Sequence, residues 1–112
     1  MTIDQITDHV HARKRLPNRR AATSFDFEQD RIRFVATYSH FADDGVGEIF
    51  ISNHKAGSHV NACVRDLGVV ASLALQFGCS LDTLRRALLR NADGSPATAL
   101  GAALDIISGR AR

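Results

Sequence analysis

The sequence predicts an α+β fold, and three observations predict it. Up to about residue 52 the apolar residues alternate with polar ones at a period of two. From about residue 58 they recur at a period near 3.6, with serine or threonine at the start of each run. A chain of 112 residues, 45% hydrophobic and 23% charged, has room for one core and no second domain. The expectation is a three-stranded antiparallel meander, about 23–29, 31–40 and 46–52. Three helices follow, about 58–77, 81–91 and 99–108, packed on one face of the sheet.

The first two strands read as a hairpin. Phe25 and Phe27 alternate with Ser24, Asp26 and Glu28, while Ile32, Phe34, Ala36 and Tyr38 alternate with Arg31, Arg33, Val35 and Thr37. A turn at Gln29-Asp30 sets Phe25 opposite Phe34 and Phe27 opposite Ile32 on the buried face. On the other face it sets Glu28 opposite Arg31 and Asp26 opposite Arg33, both pairs opposite in charge. Asp43-Asp44-Gly45 reads as the next tight turn. The third strand, Gly47-Glu48-Ile49-Phe50-Ile51, has apolar residues on both faces, which suits a central strand.

Ser58 is the expected N-cap of the first helix. Val60, Cys63, Val64, Leu67, Ala71, Ala74 and Leu75 form its stripe, and Val69, Val70, Leu73 and Phe77 add other faces. Its second half is therefore expected to be buried nearly all round. Gly78 suits the left-handed position that ends it. Ser80 caps the second helix, whose stripe is Leu81, Leu84 and Leu88, and Thr98 caps the third, with Leu100, Ala103, Leu104 and Ile107.

Residues 1–22 read as a basic flexible arm ahead of a single domain, 23–112. The first 23 residues hold five basic groups against two acidic ones, whereas the whole chain is only +2. Charge-driven contact with a protein or a nucleic acid is therefore expected at Arg13, Lys14, Arg15, Arg19 and Arg20. Against nucleic acid, aromatics are 6% of the chain and are needed for the core. Residues 2–6 carry a weak helical-turn signal. No secretory signal or membrane-spanning run is visible, so a cytoplasmic protein is expected.

Chemistry-bearing residues are sparse. His9, His11, His40, His54 and His59 fit no zinc spacing, and no metal or cofactor is expected. Cys63 and Cys79 lie sixteen residues apart, about 24 Å along a helix and too far to pair. Cys63 reads as a core filler and Cys79 as a loop thiol. His59 and Cys63 are helical neighbours, but a cysteine on the core stripe is no nucleophile. The one local feature with binding character is the helix start after Asn53, where Lys55, Gly57, Ser58 and His59 could receive an anion or nucleotide.

Several stretches in order resemble the TSCPD-type domain: Leu16-Pro17-Asn18-Arg19-Arg20, Gly47-Glu48-Ile49-Phe50-Ile51, Lys55-Ala56-Gly57, and Ser72-Leu73-Ala74-Leu75-Gln76-Phe77-Gly78 with Leu81 and Leu84. This domain occurs near the C-terminus of adenosylcobalamin-dependent (class II) ribonucleotide reductases and as small free-standing proteins. The resemblance spans about residues 14–107. The namesake Thr-Ser-Cys-Pro-Asp run and the redox cysteine pair of the full-length reductases have no counterpart here, nor has their catalytic barrel. No catalytic residue therefore carries over. What the resemblance implies is a free-standing accessory or regulatory domain, in a setting of deoxyribonucleotide synthesis and DNA replication. It would bind a protein partner, such as a reductase, rather than catalyse, and its apolar helix suits a homodimer. The alternative is a nucleic-acid or nucleotide-binding module using the arm and the helix start at Lys55 to Ser58.

Overall fold

A computed structural model describes residues 12–55 and 57–110. Three strands, β1 (Ala22–Gln29), β2 (Ile32–His40) and β3 (Val46–Asn53), precede three helices, α1 (His59–Gln76), α2 (Leu81–Ala87) and α3 (Ala99–Arg110). The sheet is antiparallel in the order β1-β2-β3, so the α+β meander expected from the sequence is the observed fold. The weak helical turn at residues 2–6 lies outside the described residues.

The hairpin register differs from the expected one by two residues. Phe27 faces Phe34, Phe25 faces Ala36 and Glu28 faces Arg33. The two-residue loop is Asp30-Arg31, with φ of 53° and 66° at those positions. Two successive left-handed residues match the twist of the flanking strands. A slip of two keeps every side chain on its face, so the buried set survives the correction.

β3 is an edge strand, not the central one, and β2 lies in the middle. Its burial has another cause: α1 runs along its outer edge. Gln76 Nε2 donates to the Gly47 carbonyl at 3.0 Å. The Ser72 hydroxyl accepts from Ile49 N–H at 2.9 Å and lies 2.9 Å from the Ile49 carbonyl. Asn61 Oδ1 accepts from Asn53 N–H at 2.9 Å. Gly68 lets the helix approach between these contacts, since a Cβ there would lie 3.1 Å from the Ile49 carbonyl oxygen. Residues 61, 68, 72 and 76 share one helical face, and their side chains serve β3 where a fourth strand would.

The core joins Phe25, Phe34, Ala36, Tyr38, Ile49 and Ile51 of the sheet to Val64, Ala71 and Leu75 of α1. Leu100, Ala103, Leu104 and Ile107 of α3 complete it. α1 is not buried all round. Val69, Val70, Leu73 and Phe77 are 49%, 63%, 38% and 45% exposed. A helix at a sheet edge can bury only the side it turns to the sheet. The stripe is accordingly rotated from the expected one, with Val60, Cys63 and Leu67 exposed and Gly68, Ser72 and Gln76 buried. Cys63 is thus no core filler.

The expected caps are present. Ser58, Ser80 and Thr98 accept from the N–H groups of Asn61, Thr83 and Gly101, and Gly78 has φ of 105°. α2 ends four residues earlier than expected. The chain becomes extended at Leu88, and Arg90 pairs with Pro96 in an isolated bridge. The Arg90 guanidinium then forks onto the Asp105 carboxylate of α3 at 2.7 and 2.8 Å.

Candidate functional site

Residues 13–20 lie against the body. Lys14 N–H donates to the Gln76 carbonyl at 2.7 Å, and Arg13 Nε donates to Gln76 Oε1 at 2.6 Å. Leu16 rests with Phe41 over Gly47, where a Cβ would come within 2.8 Å of both side chains. Lys14 pairs with Asp43 and sits 4.4 Å from the centroid of the Phe41 ring. Gln76 is the hub: one side chain ties arm, helix end and β3 together.

Arg20 anchors the other end of the segment. Its Nε donates to Glu48 Oε1 at 2.6 Å, and Ser39 Oγ donates to the same oxygen at 2.5 Å. Glu48 is nearly buried. Burial pushes its carboxyl up, but the hydrogen bonds from Arg20 and Ser39 outweigh that and hold it below the ordinary carboxylate range. The same bond raises the Arg20 guanidinium, and the Lys14 bond lowers the Asp43 carboxyl. Of the five arm cations expected to meet a partner, Arg13, Lys14 and Arg20 have intramolecular contacts. Arg13, Lys14, Arg15 and Arg20 line one pocket together, and Arg19 lines a neighbouring one.

The helix start after β3 gathers Asn53, Lys55, Gly57, Ser58 and His59 in one exposed turn, with Ala56 outside the described residues. Its polar groups serve each other: Asn53 Oδ1 accepts from Lys55 N–H, and Ser58 Oγ donates to the Lys55 carbonyl. Gly57 has φ of 79°. His59 Nε2 lies 3.4 Å from Cys63 Sγ on the exposed side of α1, so the two are neighbours as their spacing predicts. Among the described residues, no three His, Cys, Asp or Glu converge as metal ligands; His9 and His11 lie outside them.

A third surface is apolar. Val69, Val70, Leu73 and Phe77 make the C-terminal half of α1 apolar on its outer side. Beside them Phe50, 50% exposed on the open face of the sheet, lines a groove with Val35, Ala62 and Val69. Sequence reading missed the polar side of the same helix. Gly68, Ser72 and Gln76, four apart within an apolar run, carried that signal.

No family model matches the chain, and no solved structure matches it significantly. Among curated proteins it is similar to vitamin B12-dependent ribonucleotide reductases. It is 29% identical over 82 residues to that of Streptomyces coelicolor, which covers 73% of this chain and 8% of the reductase. The match to the Streptantibioticus cattleyicolor reductase is 28% over 81 residues, 72% of this chain and 14% of the relative. The Agrobacterium fabrum enzyme is 33% identical over 70 residues, 62% of this chain and 6% of its own length. The chain thus spans a small fraction of the relatives it matches, and it resembles a domain-sized segment of them.

Proposed function

Starting from this likeness to a segment of vitamin B12-dependent ribonucleotide reductases, we propose that the protein is an accessory domain that acts by binding. Its partner is a reductase of that kind, in a setting of deoxyribonucleotide synthesis. The observation that carries this reading is the outer face of α1: Val69, Val70, Leu73 and Phe77 stand exposed in one stretch beside Phe50. Contiguous apolar surface on a small domain marks a contact with another macromolecule. No bond-making role is assigned to the chain. Among the described residues, His59 and Cys63 are the nearest approach to a base and nucleophile, an exposed pair on one helix with no third orienting group bonded to them.

Two unpaired thiols, Cys63 exposed and Cys79 partly so, suit a reducing compartment and a cytoplasmic setting. Among the described residues no helix is long and apolar enough to cross a membrane.

The test is affinity capture of the host's B12-dependent reductase by the purified chain, repeated with Val70→Asp/Leu73→Lys. The expected result is specific association that falls at least tenfold in the variant while its circular dichroism is unchanged. Lack of association by the parent chain, or full association by the variant, rejects the reading.

A further inference from the structure

Residues 13–20 and the end of α1 enclose a polar pocket of about 490 Å³, with Arg13, Arg15, Asn18, Arg20 and Gln76 at its wall. Its charges do not balance. Lys14 is paired with Asp43 and Arg20 with Glu48. Arg13 and Arg15 have no carboxylate partner among the described residues; Arg13 Nε bonds the neutral Gln76 side chain instead. Among the described residues, two positive charges are therefore left uncompensated at a concave polar surface.

Two of the arginines, Arg13 and Arg20, are also held in place. Arg13 Nε is fixed on Gln76, which leaves the two terminal amines of that guanidinium as donors. Arg20 is fixed twice, by Nε to Glu48 and by Nη1 to the Pro17 carbonyl at 2.7 Å. The backbone beneath them is tied down by the Lys14–Gln76 bond and by Leu16 over Gly47. Guanidinium groups oriented in advance lose less entropy when they close on a ligand.

We infer that this pocket is a binding site for a compact phosphoryl anion, the phosphate or diphosphate group of a small molecule. A phosphate monoester carries about −1.5 to −2 charge at neutral pH, which matches the excess of Arg13 and Arg15, and a diphosphate, more negative still, would also engage Arg20. Its oxygens fit the forked donors of arginine. Compactness follows from the surroundings. The neighbouring hollow that shares Lys14 carries Asp43 and Asp44, whereas the one that shares Arg20 carries Arg19 and Arg110 beside Asp44. A long polyanion continued past Lys14 would meet the Asp43 and Asp44 carboxylates, whereas a single phosphoryl group would not.

The full chain is titrated with inorganic pyrophosphate, followed by amide chemical shifts and calorimetry. Saturable binding at one site is expected, with shifts centred on residues 13–20 and Gln76. Arg13→Gln/Arg15→Gln is expected to weaken it at least tenfold, and Arg19→Gln, outside this pocket, less than twofold, with melting temperatures unchanged. Wild-type affinity in the double variant overturns the inference. Equal loss in Arg19→Gln also overturns it, because net charge would then be the cause. A mixed-sequence single-stranded oligonucleotide that binds these residues more tightly than pyrophosphate overturns the compact-anion assignment in favour of nucleic acid.

Discussion

Ser72 sits mid-helix yet spends its hydroxyl on a strand, accepting from Ile49 N–H and donating within reach of the Ile49 and Gly68 carbonyls. Ser72→Ala leaves a buried backbone donor unpaired, a loss of about 1–3 kcal/mol. Chemical denaturation is expected to show that loss, and hydrogen exchange at the Ile49 amide should accelerate with it. Unchanged exchange at Ile49 would contradict the assigned contact. Glu48 gives a pH dependence. Its folded carboxyl titrates below its unfolded value of about 4.3, so between the two values the unfolded chain holds more protons and stability rises with pH. The contribution is complete above that unfolded value and is lost as acid brings the pH down through the folded one. The stability gap between the parent chain and Glu48→Gln should therefore narrow on acidification; a gap constant from pH 7 to 3 would refute it. Neither contact was legible in the sequence, although the four-residue spacing of Gly68, Ser72 and Gln76 marks a helix face. Ser72 read as a break in an apolar run, and Glu48 as one polar residue of a strand, because their partners are 23 and 28 residues away.

At the scale of elements, α1 and β3 depend on each other more than periodicity conveys. Alternation located the first two strands, the Asp-Gly turn and a short apolar run the third, and helical spacing all three helices, since these patterns are local. They failed on the rank of β3 in the sheet and on the buried side of α1, which are set by how the two pack together. Apolar residues on both sides of β3 meant a neighbour, and that neighbour is a helix. Gly68 is the point of closest approach, with the Ile49 carbonyl oxygen and Ile51 nitrogen 3.1 and 3.3 Å from where a Cβ would stand. Gly68→Ala gains about 1 kcal/mol of helix propensity in isolation. Here both obstacles are backbone, locked between β2 and the helix, so a net destabilisation of about 1 kcal/mol is expected from thermal or urea melting. A stabilised variant would mean that α1 can shift away from the strand. The hairpin loop was legible as a turn but not in register, because Gln29-Asp30 and Asp30-Arg31 both preserve the alternation.

At the scale of the molecule, the outer side of α1 with Phe50 is an exposed apolar flank among the described residues. The sequence displayed those residues plainly but did not tell which were inside, since Val69, Val70, Leu73 and Phe77 are as hydrophobic as any core set. The same flank leads to the proposal that two copies pair through it when no reductase is bound. Sedimentation should then show a dimer at high concentration that Val70→Asp converts to a monomer; a parent chain monomeric throughout would reject pairing. The arm is the opposite case, conspicuous by charge but not by position, because the Gln76 hub that holds it lies 63 residues away from Arg13.

With Asn61, Ser72 and Gln76 occupying the outer margin of β3, strand-by-strand growth is blocked at that end of the sheet. Among the described residues, β1 has the strand edge left open to an added strand. Two molecules joined there would form a six-stranded ribbon stoppered by a helix at each end. By edge pairing alone such an assembly stops at two, because each outer margin of the ribbon is then occupied by a helix.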